Sequence, residues 1–224
     1  MKRSEINTII DDSIAFIESH GFLLPPFTRW SPSDWLEKRS NSQEVKENML
    51  GWDITDFGSG KFLEHGLIML TLRNGNFHDK NKYPKPYAEK LLITGEGQET
   101  PAHFHWSKME DIINRGGGNL IVELWNSDEN EEKLNTPVSV SIDGTQYTFE
   151  AGEPITIKPG ESISLIPKLY HRFYGEEGKG RVLLGEVSSV NDDKIDNRFY
   201  EDLPRFPAIE EDEPARYVLI TEYQ

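Results

Sequence analysis

The chain has 224 residues, no cysteine and a formal net charge of −15. That length suffices for one large domain or two small ones, and the missing cysteines exclude disulfides, thiolate metal sites and cysteine nucleophiles. The acidity argues against binding nucleic acid or an anionic membrane surface and leaves a neutral small substrate open.

Asp11-Asp12 interrupts any apolar run near the N-terminus, and no stretch approaches the length of a membrane span. The expectation is a cytoplasmic protein. Ile6, Ile9, Ile10, Ile14 and Ile17 recur at three- and four-residue spacing, which predicts an amphipathic helix with Ser4 as N-cap and Gly21 as its left-handed end. His20 at that end reads as structural. Ser31-Pro32-Ser33-Asp34 opens a second helix reaching about Arg39, and residues 41–48 suit a third. Trp30, Trp35 and Trp52 are the candidate aromatic anchors.

From Gly51 the pattern becomes that of strands. Candidates are residues 52–57, 66–72, 87–93, 119–125, 154–157, 162–166, 181–187 and, at the end of the chain, 216–222, with Asn74-Gly75 as a turn signal. Residues 138–149 form a hairpin around Asp143-Gly144. Residues 128–133 are a solvated charged loop, and residues 191–207 are polar and proline-containing. Many short strands with glycine and proline turns predict an all-β sandwich or barrel. The domain reading is a helical extension over residues 1–50 and a β domain over residues 51–224, one domain overall.

The chemistry concentrates in Gly97-Gln-Glu-Thr-Pro-Ala-His-Phe-His-Trp-Ser-Lys-Met-Glu110. On a strand, His103 and His105 point to one face and can share a metal ion, and a turn can return Glu110 to the same ion. Nitrogen and oxygen ligands without thiolate suit a catalytic divalent ion.

The spacing Gly97, His103-x-His105, Glu110, Gly117 resembles the first metal-binding motif of the cupin superfamily. Gly160, Pro167 and His171 take the place of the second motif, with proline and histidine one residue closer than usual and no glycine between them. Within the cupins the chain resembles the D-lyxose isomerase family, through Glu89-Lys90-Leu91, Gly97-Gln98-Glu99-Thr100-Pro101, Lys108-x-Glu110-Asp111, Val187-Ser188-x-Val190-Asn191-Asp192-Asp193, Asp196-Asn197-Arg198-Phe199 and Arg205-Phe206-Pro207. The resemblance implies a mainly β cupin barrel (a double-stranded β-helix), a homodimer and a divalent metal, commonly manganese (Mn2+), held by His103, His105, Glu110 and His171. It implies interconversion of D-lyxose with D-xylulose, and of D-mannose with D-fructose, through a cis-enediol.

Such a reaction needs a carboxylate base close to the carbon-bound proton. Glu201 is the first choice, with Glu186 and Asp193 as alternatives. Lys90 on the strand before the metal motif suits catalysis and substrate binding, and Gln98 and Arg198 are further substrate-binding candidates. Phe104, Trp106 and Phe173 read as barrel packing, and His65 and His78 as structural. Two other functions stay open at this point: an iron-dependent dioxygenase using the same ligands, and a non-catalytic sugar-binding cupin.

Overall fold

The computed structural model describes residues 1–38 and 40–223. Helices occupy the first fifth of the chain: α1 (Arg3–Ser19), α2 (Pro32–Glu37) and α3 (Gln43–Glu47). The strands are β1 (Gly51–Thr55), β2 (Leu67–Arg73), β3 (Tyr87–Thr94), β4 (Thr100–His105), β5 (Glu110–Gly117), β6 (Leu120–Trp125), β7 (Val138–Ile142), β8 (Thr145–Phe149), β9 (Ile155–Ile157), β10 (Ser162–Leu165), β11 (Tyr170–Gly175), β12 (Val182–Ser189) and β13 (Asn197–Phe199). They form an eight-stranded sheet, β1-β2-β3-β12-β5-β10-β7-β8, and a five-stranded sheet, β13-β4-β11-β6-β9. Every pairing between named strands is antiparallel. This is the mainly β cupin barrel with an N-terminal helical extension that the sequence implied.

Alternation along the strands sorts side chains into two cores. Leu67 and Met69 of β2, Leu92 of β3, Ile112 of β5 and Val182 and Leu184 of β12 face the five-stranded sheet, where Val122, Leu124 and Phe173 meet them. The intervening Ile68, Leu70, Leu91, Ile93 and Leu183 face outward and are covered by Ile6, Ile10, Ile14 and Ile17 of α1. The large sheet is therefore apolar on both faces, and α1 shields one of them. Burying each of those isoleucines contributes roughly 1.5–3 kcal/mol.

Gly21 ends α1 with φ +75°, as expected. Ser4 is not the N-cap. The helix starts two residues earlier than that cap implies, with Lys2 as N-cap, and Asp212, remote in sequence, accepts from the Ser4 backbone N–H at 2.9 Å and from its hydroxyl at 2.6 Å. Ser31 caps α2 through a reciprocal bond with Asp34; Arg39 lies outside the described residues. Asp143 and Gly144 both have positive φ, as a tight hairpin requires. Asn74-Gly75 is no tight hairpin turn, since β2 and β3 are joined by a loop over residues 74–86.

The expected terminal strand at residues 216–222 does not form. Leu219 makes a single bridge to Trp52 at the β1 edge, and a 3-10 turn, Ile220–Glu222, follows because the Glu222 carboxylate accepts the Leu219 N–H at 2.8 Å. Trp52 and Trp35 are buried anchors, while Trp30 is half-buried and packs edge-on against Trp35.

Candidate active site

The two sheets bring the four expected metal ligands together. β4 carries His103 and His105, β11 pairs with it so that His171 lies opposite His103, and β5 brings Glu110 from the large sheet. The three imidazoles are buried, with ligand atoms all within 4.8 Å of one another. His171 Nε2 is 3.1 Å from His103 Nε2 and 3.3 Å from Glu110 Oε1, and His105 Nε2 is 3.5 Å from that same oxygen.

The opposite ring nitrogens fix the tautomers. His103 Nδ1 lies 2.8 Å from the Pro101 carbonyl, His171 Nδ1 2.9 Å from that of Leu169, and His105 Nδ1 3.2 Å from that of Asp196. A carbonyl only accepts, so each Nδ1 carries the proton and each Nε2 presents a lone pair. Burial, and then His171 and His105, hold His103 well below the usual imidazole value; burial pushes His171 down to about 4. Two neutral imidazoles thus aim lone pairs at each other across 3.1 Å beside a carboxylate. That donor set fits a divalent cation, with no thiolate and a carbonyl behind each histidine.

A ladder of alternating charge leads away from the ligands. Glu110 Oε2 is 2.5 Å from Lys108 Nζ, Lys108 is 3.0 Å from Glu186 Oε1, Glu186 is 3.3 Å from Lys90, and Lys90 is 3.4 Å from Asp193. Arg205 follows, bound to Asp53 at 2.5 Å. Strand alternation explains the inward aim of Lys90 and Glu186: Lys90 is in phase with Leu92, and Glu186 with Val182 and Leu184. Burial opposes the charge on Glu110, but the Lys108 ammonium outweighs it and holds the carboxyl well below the usual range. Burial likewise opposes the charge on Lys108, and Glu110 and Glu186 keep it protonated.

Glu186 is the carboxylate with unspent capacity. Lys108 Nζ, Lys90 Nζ and the Ser188 hydroxyl, at 2.8 Å, all engage its Oε1. Among the described residues Oε2 has no donor. Lys90, His103, His105, Lys108, Glu110 and Glu186 line one cavity, together with Asp193, Asn197, Phe199 and Arg205.

Three of the expected site residues lie elsewhere. Glu201 is exposed and lines a separate cleft with Trp125, Glu123, Lys133 and Arg172, on the outer face of the five-stranded sheet. Arg198 sits on β13 between the inward Asn197 and Phe199, so alternation turns it outward, where it binds Glu131 at 2.6 Å. Gln98 spends its buried amide on structure: Oε1 accepts the Gly95 N–H at 2.8 Å and Nε2 donates to the Phe62 carbonyl at 2.6 Å. Lys108, Asn197, Phe199 and Arg205 had no site role in the sequence reading. Lys108 stands two residues from Glu110, which was the one local signal. The others arrive on a segment whose path no periodicity announces, pinned where Asp196 accepts the Ser107 and Lys108 backbone N–H groups at 2.9 and 3.1 Å.

Comparison with known proteins bears on this geometry. A family model described as D-lyxose isomerase matches residues 1–223. The chain belongs to the D-lyxose isomerase family. It is therefore an aldose–ketose isomerase. It is 51% identical over 225 residues to the D-lyxose/D-mannose isomerase of Escherichia coli O157:H7, covering 100% of this chain and 99% of that protein. To the D-lyxose/D-mannose isomerase of Serratia proteamaculans it is 50% identical, over 100% of this chain and 98% of that protein. In fold it resembles the L-ribose isomerase of Cellulomonas parahominis, with TM-score 0.59, 14% identity and coverage of 94% of this chain and 98% of the other. The L-ribose isomerase of Acinetobacter sp. DL28, solved with L-ribose, gives TM-score 0.56 at 16% identity with the same coverage.

Proposed function

We propose that the chain interconverts D-lyxose with D-xylulose and D-mannose with D-fructose, with Glu186 as the proton-transferring base. The observation that carries the assignment of the base is Glu186 Oε2, a carboxylate oxygen without a donor among the described residues, in the same cavity as His103, His105 and Glu110. Glu201, exposed in the other cleft, is set aside for that role.

A divalent cation held by His103, His105, Glu110 and His171 would act as a Lewis acid on the sugar carbonyl. Glu186 takes the proton from C2 of the aldose and returns it to C1, while the O2 hydroxyl proton passes to O1, so that the carbonyl moves from C1 to C2 through a cis-enediol. The Lys108 and Lys90 ammonium groups, fixed beside Glu186, stabilise the negative charge that grows on the oxygens as the proton leaves. Because both lysines are ion-paired before substrate arrives, little reorganisation is needed at that moment. The buried walls, with Phe57, Phe173 and Phe199 among them, keep water from the enediol. Manganese as the cation, a homodimeric assembly and a cytoplasmic location belong to the same reading and are supported by the family resemblance.

The test is anaerobic incubation of the manganese-loaded protein with a panel of pentoses and hexoses, following aldose–ketose conversion. Turnover of D-lyxose and D-mannose is expected. Failure on both sugars would refute the proposal.

A further inference from the structure

Among the described residues, the side-chain polar atoms sealed from solvent that make no hydrogen bond within the protein are Asn74 Oδ1, Thr100 Oγ1, Arg172 Nε and Arg205 Nη1. Thr100 and Arg205 line the cavity that holds the metal ligands and Glu186. Leaving a buried polar atom unpaired is costly, so two in one cavity mark it as built to bind something polar.

Thr100 reaches this cavity through a local irregularity. It stands three residues before His103, and plain alternation would put it on the opposite face of β4. In the ladder with β11, His103 pairs with His171 but Thr100 pairs with Phe173, so three residues of β4 advance against two of β11. The bulge returns Thr100 to the face of His103, a use of bulges common beside active sites. Thr100 is only 1% exposed. A valine would fill the same space without a hydroxyl, so packing alone does not explain threonine here.

Arg205 comes from the polar segment after β13. Asp53 Oδ2 accepts from its Nη2 at 2.5 Å, and its backbone carbonyl accepts from the Thr55 hydroxyl at 2.9 Å. The guanidinium is anchored at one nitrogen and carries an unspent donor, Nη1, at another. A neutral polyol suits a threonine hydroxyl, which donates and accepts, beside a fixed guanidinium donor. Because of the bulge, Thr100 and His103 lie opposite residues only two apart on β11, a span of about 7 Å, comparable with an extended five- or six-carbon chain. A sugar with its C1 end at the imidazoles therefore runs toward Thr100.

We propose that Thr100 is a specificity-determining residue whose hydroxyl, together with Arg205 Nη1, binds the distal hydroxyls of the sugar, at the end away from C1 and C2. The proposal rests on the isomerase reading above.

The experiment measures kinetics of the manganese-loaded wild type, Thr100→Val and Thr100→Ser on D-lyxose and on its 4-deoxy and 5-deoxy analogues. Thr100→Val is expected to raise KM for D-lyxose about tenfold, the scale of one hydrogen bond, with kcat within about twofold. Its metal content and melting temperature should match wild type, and Thr100→Ser should restore KM. One of the two deoxy analogues should show the same KM rise on wild type and no further rise on Thr100→Val. A wild-type KM in Thr100→Val, or losses that add in full for both analogues, overturns the proposal. Should Thr100→Val fail to fold, equal binding of D-lyxose and both analogues by wild type overturns it instead. No turnover of D-lyxose by wild type would refute the isomerase reading itself, and this proposal with it.

Discussion

Lys90 and Glu186 are direct partners across the β3–β12 ladder, and their head groups meet at 3.3 Å inside the barrel. Neither charge could stand alone there, because a buried ion without a partner costs several kcal/mol. The pairing propagates: each charge from Glu110 to Asp193 is flanked by opposite charge, and the row ends at the metal ligands on one side and at Arg205 on the other. The barrel core is thus apolar away from the site and a bonded ionic row within it.

The position of Glu186 in that row predicts the phenotype of its neutral isostere. Glu186→Gln should retain the metal and the fold and lose turnover by about 10²–10⁴-fold, the range of general acid–base catalysis. Glu201→Gln, altered in the exposed cleft, should keep wild-type rates. Steady-state assays with metal analysis on both variants decide the matter. Loss of activity in Glu201→Gln alone would move the base to that residue.

Lys108 separates two buried carboxylates. Lys108→Met should leave Glu110 and Glu186 without their shared cation and destabilise the protein by about 3–5 kcal/mol. At this chain length that corresponds to a melting temperature lower by roughly 6–20 °C. The double variant Lys108→Met/Glu186→Gln should recover part of the loss, since one of the two carboxylates that shared the lysine is then neutral. Thermal denaturation of the single and double variants measures this. Purely additive losses would show that Lys108 and Glu186 are not coupled.

Much of this arrangement was legible in the sequence wherever a local rule held. His103-x-His105 declared one strand face, the isoleucine spacing declared α1, and Asp143-Gly144 declared the hairpin. Lys90 faces inward because alternation in β3 runs undisturbed. At three places the arrangement was not legible. The bulge in β4 puts Thr100 on a face that counting denies it. In β13 alternation does hold, but a strand of three residues has too little pattern to be seen, so nothing in the sequence separates Arg198 from a substrate-binding residue. The segment reaching Glu201 and Arg205 is held by partners distant in sequence, Asp53 and Thr55 among them. Sequence proximity to Arg198 therefore said nothing about which acid faces the metal ligands.

Ile10 tests whether α1 is part of the core or an appendage. Its side chain is fully buried between α1 and the outward face of β2 and β3. Ile10→Ala should cost about 2–5 kcal/mol while kcat and KM of the folded protein stay unchanged, because the helix lies behind the sheet from the cavity. Chemical denaturation paired with kinetics reports both quantities. A change in stability below about 0.5 kcal/mol would mean that the helix does not contribute to the same cooperative unit.

The facing imidazoles carry the last prediction. With Nδ1 of His103 and of His171 committed to carbonyls, their Nε2 lone pairs oppose each other at 3.1 Å, and a bound cation turns that repulsion into attraction. Chelation should therefore abolish activity and lower thermal stability, with both restored by added divalent metal. At a hundred-fold excess of metal over its dissociation constant the linkage is worth about 2.7 kcal/mol. His103→Ala or His105→Ala should lose metal and activity together, and added metal should no longer raise the melting temperature. A full metal complement in either variant would show that the ion sits elsewhere. Loss of activity with the metal retained would give that histidine a role toward the sugar instead.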